Sequence, residues 1–350
     1  MLQSARHMLN MPDLFHYFFT GKAVNESTIA STTQMCDLHT HDWNKTLLTR
    51  LGIPSHFLSD QIDPGTIIGK IRNVVAEAAD ITSIDVTLPG GHDTASAVAA
   101  VPVDSAASEN WAYLSSGTWS LLGAELEAPI VTDDACETGF TNERGVCNTV
   151  RLLKNIAGLW LLQQVRRDLA SRGEAHDYGE LVQLGEKATP FRTLLNPDYG
   201  PFASPGDMCR KIDAFADVTG QPRPDSAGAY TRAVLESLAF AYRQALKTLE
   251  RLLGRSIDTL YLVGGGGKNR LLNQMTADAV GCKVIVGPYE ATAIGNALTQ
   301  AMGQGQIENL SHLRQVVRNS FELSTWHPKC PEDFDRENDR YQTLCDVEQH

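Results

Sequence analysis

Thr259-Leu260-Tyr261-Leu262-Val263-Gly264-Gly265-Gly266-Gly267-Lys268-Asn269 is the stretch from which the fold is read. Five residues suited to a buried strand run into four glycines, and a helix opens near Asn269. A second apolar strand, Lys283-Val284-Ile285-Val286, leads through Pro288 into a helix over residues 291–302. Strand, helix, strand, helix in this order means two parallel strands joined by a right-handed crossover, and so an α/β class.

The glycine run invites nucleotide-binding readings, and spacing tests them. A dinucleotide fingerprint, G-x-G-x-x-G, needs a third glycine where Asn269 stands, or at Arg270 one register later. The second strand ends Val286-Gly287-Pro288, without a ribose-binding acid, which argues against a nicotinamide oxidoreductase. A phosphate loop of the G-x-x-x-x-G-K-[ST] kind needs a glycine at Leu262 and a hydroxyl at Asn269. What remains is a side-chain-free turn between a strand and a helix N-terminus. A purine or phosphate can lie close to such a backbone, so a nucleotide site and a plain tight turn both stay open.

Working outward, residues 229–253 form the clearest helix. Leu235, Leu238, Tyr242, Ala245, Leu249 and Leu252 recur at steps of three and four. Strands over 111–116 and 119–126 flank the turn Ser116-Gly117-Thr118. A short strand at 85–88 feeds Pro89-Gly90-Gly91-His92-Asp93, and a helix over 94–100 stops at Pro102. Asp93 can be a proton acceptor at a helix mouth, or a helix cap worth about 1 kcal/mol. His92 can equally be a hydrogen-bonded core histidine, and the Ser/Gly/Thr turn can hold a phosphate or merely close a hairpin. Elsewhere the pattern predicts a helix over 3–20 restarting at Pro12-Asp13, a helix near 44–51, a strand within 146–153 and a helix over 156–171. Residues 173–228, rich in Gly, Pro and Asp, read as irregular, and 329–350 as a polar tail.

Bulk properties narrow the classes. The 350 residues are 42% hydrophobic and 21% charged, globular values that leave room for two domains. A net charge of −12 argues against nucleic acid or an anionic membrane as partner. No apolar run reaches membrane-spanning length, and no basic-then-apolar leader opens the sequence. Seven scattered cysteines without a C-x-x-C pair fit a reducing cytoplasm. Cys36-Asp37-Leu38-His39-Thr40-His41-Asp42 reads as a solvated turn, its residues being neighbours rather than spaced to converge on a metal.

The order of motifs carries a resemblance. Pro12-Asp13, Glu26-Ser27-Thr28, Gly91-His92-Asp93-Thr94-Ala95-Ser96-Ala97 and Tyr113-Leu114-Ser115-Ser116-Gly117-Thr118-Trp119-Ser120 come first. Thr141-Asn142-Glu143, Leu153-Lys154-Asn155-Ile156 with Gly158-Leu159-Trp160, and Val263-Gly264-Gly265-Gly266 follow. From about residue 5 to 328 the chain resembles the FGGY carbohydrate kinases. The resemblance implies actin-like ATPase architecture with two ribonuclease-H-like domains: a partial sugar-binding domain over 1–98 and a complete nucleotide-binding domain over 99–328. It implies Asp93 as general base, with His92, Thr94 and Asn142 as sugar contacts. Gly117 and Thr118 would hold phosphate, and Gly264, Gly265 and Gly266 would line the nucleotide. ATP and Mg²⁺ are the implied cofactors, with no protein residue assigned to the metal, and a ketose is the implied substrate of a monomeric enzyme.

The family's first phosphate loop, an Asp-x-Gly-x-Ser hairpin, is not found ahead of Met11-Pro12-Asp13. The resemblance therefore leads to the expectation that on the order of a hundred residues of the N-terminal domain are missing. Little or no turnover is expected of these 350 residues alone.

Overall fold

The computed structural model describes residues 2–104 and 110–347. A 3₁₀ turn at Leu2–Ser4 precedes α1 (Met11–Thr20); then come β1 (Asn25–Glu26), α2 (Ser27–Ser31), α3 (Lys45–Arg50) and β2 (Gln61–Ile62). The chain continues through β3 (Ile67–Lys70), α4 (Asn73–Ala78), β4 (Asp85–Thr87) and α5 (Asp93–Ala99). Next are β5 (Trp111–Ser116), β6 (Trp119–Leu126), α6 (Asp133–Glu137), β7 (Thr141–Arg144) and β8 (Val150–Ala157). Helices α7 (Trp160–Ser171), α8 (Tyr178–Lys187), α9 (Met208–Val218) and α10 (Ala227–Leu253) follow. The last elements are β9 (Thr259–Val263), α11 (Arg270–Val280), β10 (Lys283–Val286), α12 (Ala291–Gly303), α13 (Leu310–Ser320), β11 (Ser324–Trp326) and α14 (Pro331–Cys345).

Two compact units interleave along the sequence. One comprises residues 1–107, 124–153 and 290–322; the other comprises 108–123, 154–289 and 323–350. In the first unit β1 and β2 pair in parallel, β3 and β4 antiparallel, and β7 and β8 antiparallel with Glu143 opposite Arg151. Helices α5 and α12 cross at backbone contact, because a side chain at Gly295 would stand 1.8 Å from the Ser96 carbonyl oxygen. In the second unit the strands lie in the order β11-β10-β9-β5-β6. The pairs β10–β9 and β9–β5 are parallel, as the strand-helix-strand reading requires. Helix α10 is the unit's core helix, with Leu235, Leu238, Tyr242 and Leu249 buried.

Four segments differ from expectation, each for a local reason. The first helix begins at Met11, not residue 3, because Pro12 cannot donate to a preceding turn and restricts the residue before it. The helix expected from 156 starts at Trp160, since β8 runs on to Ala157 and the chain turns at Gly158, where a Cβ would lie 2.6 Å from the Thr118 oxygen. Within 173–228 lie α8 and α9. Asp177 and Glu180 cap α8 reciprocally, and α9 buries Met208, Ile212 and Phe215 at helical spacing. Residues 331–345 are a packed helix rather than a polar tail, with Phe334, Tyr341 and Leu344 buried. The Tyr341 ring stacks on Phe240 at 4.6 Å.

Candidate active site

In the first unit the chain leaves β4 and enters α5 through Gly90 and Gly91. The Gly91 N–H donates to Glu26 Oε2 at 2.8 Å, and a Cβ there would meet that oxygen at 2.6 Å. Only glycine lets the loop come so close. Glu26 also accepts from the Thr28 N–H, the Thr28 hydroxyl and the Ile29 N–H, at 2.8, 2.6 and 3.1 Å. Burial raises the Glu26 pKa, and these donors oppose the rise. The Thr28 hydroxyl in turn accepts from the His92 N–H at 3.1 Å, so α2 fixes the backbone that carries His92 and Asp93.

Asp93 is the first helical residue of α5, and the capping position is His92, whose side chain makes no cap bond. The N-cap reading of Asp93 therefore fails. Its side chain is 76% exposed, while Oδ1 accepts from the Thr94 N–H at 2.6 Å and the Thr94 hydroxyl at 3.2 Å. Thr94 is buried and thus orients the carboxylate.

The His92 ring lies between two acids. Nδ1 is 3.0 Å from Glu143 Oε2, and Nε2 is 3.5 Å from Asp93 Oδ1. Arg151 Nη2 donates to the same Glu143 oxygen at 3.0 Å and also lies 3.0 Å from Nδ1. An arginine can only donate and a carboxylate only accept, so the consistent assignment is Nδ1–H donating to Glu143, with Nε2 toward Asp93. Burial would raise the Glu143 pKa, but the His92 hydrogen bond and the Arg151 charge hold it below the usual carboxylate value. Arg151 is fully buried and also donates to the Arg144 carbonyl at 3.1 and 3.0 Å. Such a site can take a proton at Asp93 and keep a neighbouring imidazole in one orientation.

Asn142 does not join this group. Its amide is clamped to the Ile130 backbone, accepting from the N–H at 3.0 Å and donating to the carbonyl at 2.8 Å. It adjoins Glu143 on β7, so their side chains point to opposite faces. Reasoning from sequence did not assign Glu26, Thr28, Glu143 or Arg151. The first three lay inside quoted motifs, and Arg151 was a lone charge in the apolar run Val150–Leu153.

In the second unit two turns meet. A Cβ on Gly264, whose φ is +92°, would lie 2.7 Å from the Ser116 carbonyl oxygen, and one on Gly266 would lie 2.1 Å from the Ser116 hydroxyl. Close approach to β5 thus demands both glycines. Gly265 has open space on its side-chain face. The Gly117 and Thr118 carbonyls accept from the Leu159 and Trp160 N–H groups, each at 3.0 Å, and Gln163 donates to the Thr118 hydroxyl at 3.2 Å. Behind the turn the Ser120 and Tyr242 hydroxyls bond at 2.8 Å. The structure therefore brings Gly117, Thr118 and Gly264–Gly266 together on one end of the sheet, at the carboxyl ends of β5 and β9, where open α/β sheets bind ligands.

Among the described residues no three His, Cys, Asp or Glu converge to hold a metal. The 36–42 segment is a turn, in which Asp37 accepts from the His39 and Thr40 N–H groups at 2.9 Å. No helix of the described residues is long and apolar enough to cross a membrane.

Comparison with known proteins agrees with the motif order. Residues 1–100 match the N-terminal domain of the FGGY family of carbohydrate kinases, and residues 112–303 match its C-terminal domain. The rhamnulokinase of Bacteroides thetaiotaomicron is 44% identical over 328 residues, covering 94% of this chain and 66% of its own length. That of Bacillus subtilis is 38% identical, covering 96% and 67%. The chain thus spans about two thirds of the length of these relatives. A xylulose kinase from Lactobacillus acidophilus superposes with a TM-score of 0.76 at 16% identity, over 98% of this chain and 67% of its own. The ADP-bound glycerol kinase of Plasmodium falciparum gives 0.71 at 17%, over 97% and 67%. At those identities the likeness shows the fold, which is the actin-like ATPase fold expected above. With both domain models matched, the chain belongs to the FGGY family of carbohydrate kinases.

Proposed function

We propose that this sequence serves the ATP-dependent phosphorylation of L-rhamnulose to L-rhamnulose 1-phosphate. The observation that carries the reading is Asp93, an open carboxylate at a helix start, oriented by Thr94 and flanked by an imidazole that Glu143 and Arg151 hold. The relatives named rhamnulokinase direct the choice of sugar.

In the proposed reaction the sugar hydroxyl oxygen bonds the γ-phosphorus, the bond from that phosphorus to the bridging oxygen of ADP breaks, and the hydroxyl proton passes to Asp93. His92, with its Nδ1 proton committed to Glu143, offers Nε2 to the sugar. The second unit binds the nucleotide, phosphates at the Gly117–Thr118 turn and purine over the open face of Gly265. Mg²⁺ supplies charge neutralisation on the phosphates. The nucleotide phosphates and water would supply most of the ligands of this ion. Asn142 acts in this reading through the Ile130 segment it clamps rather than on the sugar.

The chain spans about two thirds of the relatives' length, and the reading extends to these 350 residues binding ATP but turning over poorly without the Asp-x-Gly-x-Ser loop that the family resemblance implies. Losing one preorganised donor costs roughly 2.7–4 kcal/mol, and a loop supplies several. Calorimetry with ATP and a coupled ADP-release assay with L-rhamnulose, L-xylulose and glycerol test this. Binding with L-rhamnulose-selected turnover, weak in these 350 residues and strong when the relatives' unmatched segment is joined to them, supports the proposal. Binding with no sugar-dependent turnover in either form leaves a nucleotide-binding module instead.

A further inference from the structure

Beside the first turns of α10 the second unit holds a cavity of about 220 Å³ whose charged wall the proposed reaction does not use. Lys187 ends α8, Arg192 and Asp225 come from loops, and Arg232 and Glu236 stand one turn apart on α10. These are the charged residues of the wall, three cations against two carboxylates. The volume is small for a nucleotide but admits a phosphate group on a short carbon chain.

The cations face inward with bonding capacity to spare. Lys187 makes no hydrogen bond or ion pair among the described residues. Arg232 Nε donates to Glu236 at 2.7 Å and Nη1 to the Gly185 carbonyl at 3.2 Å, which leaves Nη2 open. Arg192 pairs with the exposed Asp225, a solvent-screened contact that an anion can displace. The wall is also fixed in place. The Phe191 N–H donates to Glu236 Oε2 at 2.9 Å from a backbone held at φ +51°. Arg340 on α14 donates to the Phe191 and Arg192 carbonyls at 2.8 and 3.1 Å, and the Phe191 ring packs against Phe240 and Phe334. Left-handed strain of this kind, over-determined by its surroundings, clusters at ligand clamps.

Glu236 adjusts the charge. It is 1% exposed, and burial lifts its carboxyl to about 7. The charges facing it are Arg232 on its own helix, Arg340 from α14, and Lys187, Arg192 and Asp225 around the cavity. With Glu236 protonated the wall has three cations and one carboxylate, an excess that a dianion neutralises. A phosphate group is such a dianion near neutral pH, and a guanidinium fork matches its oxygens.

We propose that this cavity is an anion site for a phosphate dianion, free or as a phosphomonoester, held by Lys187, Arg192 and Arg232. It shares no residue with the Gly117–Thr118 turn or the Gly264–Gly266 run, and it does not depend on which sugar is phosphorylated.

Calorimetry on the 350-residue chain tests it, with inorganic phosphate, glycerol 3-phosphate and sulfate as probes. Lys187→Met and Arg192→Met should each weaken phosphate binding about tenfold, the loss of one charge-assisted contact. Their melting temperatures in anion-free buffer should stay close to wild type. Thr118→Val, in the turn read as the nucleotide's phosphate site, should leave the binding unchanged. Both sources support the site: tighter binding of glycerol 3-phosphate selects a phosphomonoester, and tighter binding of inorganic phosphate selects the free ion. Sulfate stays a dianion, so its affinity should rise severalfold from about pH 8 to about pH 6 in wild type and stay level in Glu236→Gln. Absence of binding, binding untouched by both cation variants, binding lost in Thr118→Val, or a wild-type sulfate affinity equal at both pH values overturns the proposal.

Discussion

Replacing Glu143 by Gln isolates the electrostatics under His92. Arg151 is a fully buried guanidinium whose only carboxylate partner among the described residues is Glu143, at 3.0 Å; its other bonds go to the Arg144 carbonyl, and Nη1 has no partner. The Gln side chain keeps the shape and one acceptor but removes the charge. Breaking a buried pair by neutralising one member typically costs about 3–5 kcal/mol, because the surviving charge is left uncompensated. The variant should therefore lose at least about 3 kcal/mol in urea unfolding, with faster amide exchange in β7. Adding Arg151→Met should recover most of that loss, since the stranded charge is gone. The pH dependence has a definite sign. Glu143 titrates below its ordinary value in the folded state, so its stabilisation is present above about pH 4.5 and fades as pH falls through the folded value. The gap between wild type and variant should close in acid. A loss under about 1 kcal/mol, or a double variant no better than the single, would refute the reasoning.

Glu236 predicts the opposite slope: burial raises its carboxyl to about 7 despite the Arg232 partner at 2.7 Å, so its contribution falls as pH rises from about 4.5 to 7. Thermal melts across that range should show Glu236→Gln with a flatter profile than wild type. Gly266→Ala should destabilise by about 1–3 kcal/mol, its Cβ meeting Ser116, whereas Gly265→Ala should leave stability unchanged and weaken ATP binding in calorimetry. Phe334→Ala should cost about 3–5 kcal/mol in a denaturant titration if α14 is a core element.

Much of the second unit was legible because its pattern is local. Strands 111–116, 119–126, 259–263 and 283–286 are apolar runs ended by glycine, proline or a hydroxyl turn, and the structure has them at those bounds. Helices α8, α9 and α14 were not, since three or four apolar residues spread through Gly-, Pro- or acid-rich sequence leave the composition polar while the burial is real. At the site, His92 and Asp93 were visible as a glycine-flanked pair. Their supports were hidden by distance: Glu26 lies 65 residues from Gly91, and Arg151 lies 59 from His92. Asn142 stood in the right motif, but strand alternation turns it to the other face.

The central claim is that Asp93 takes the proton of a sugar hydroxyl during transfer from ATP. Phosphorus NMR of ATP with L-rhamnulose, using the chain joined to the relatives' unmatched segment, tests it most directly. A phosphomonoester signal that requires the sugar, formed about 10²–10⁴-fold more slowly by Asp93→Asn at unchanged ATP affinity, is the predicted result. The same rate from Asp93→Asn, or release of inorganic phosphate with no sugar phosphate, would contradict it.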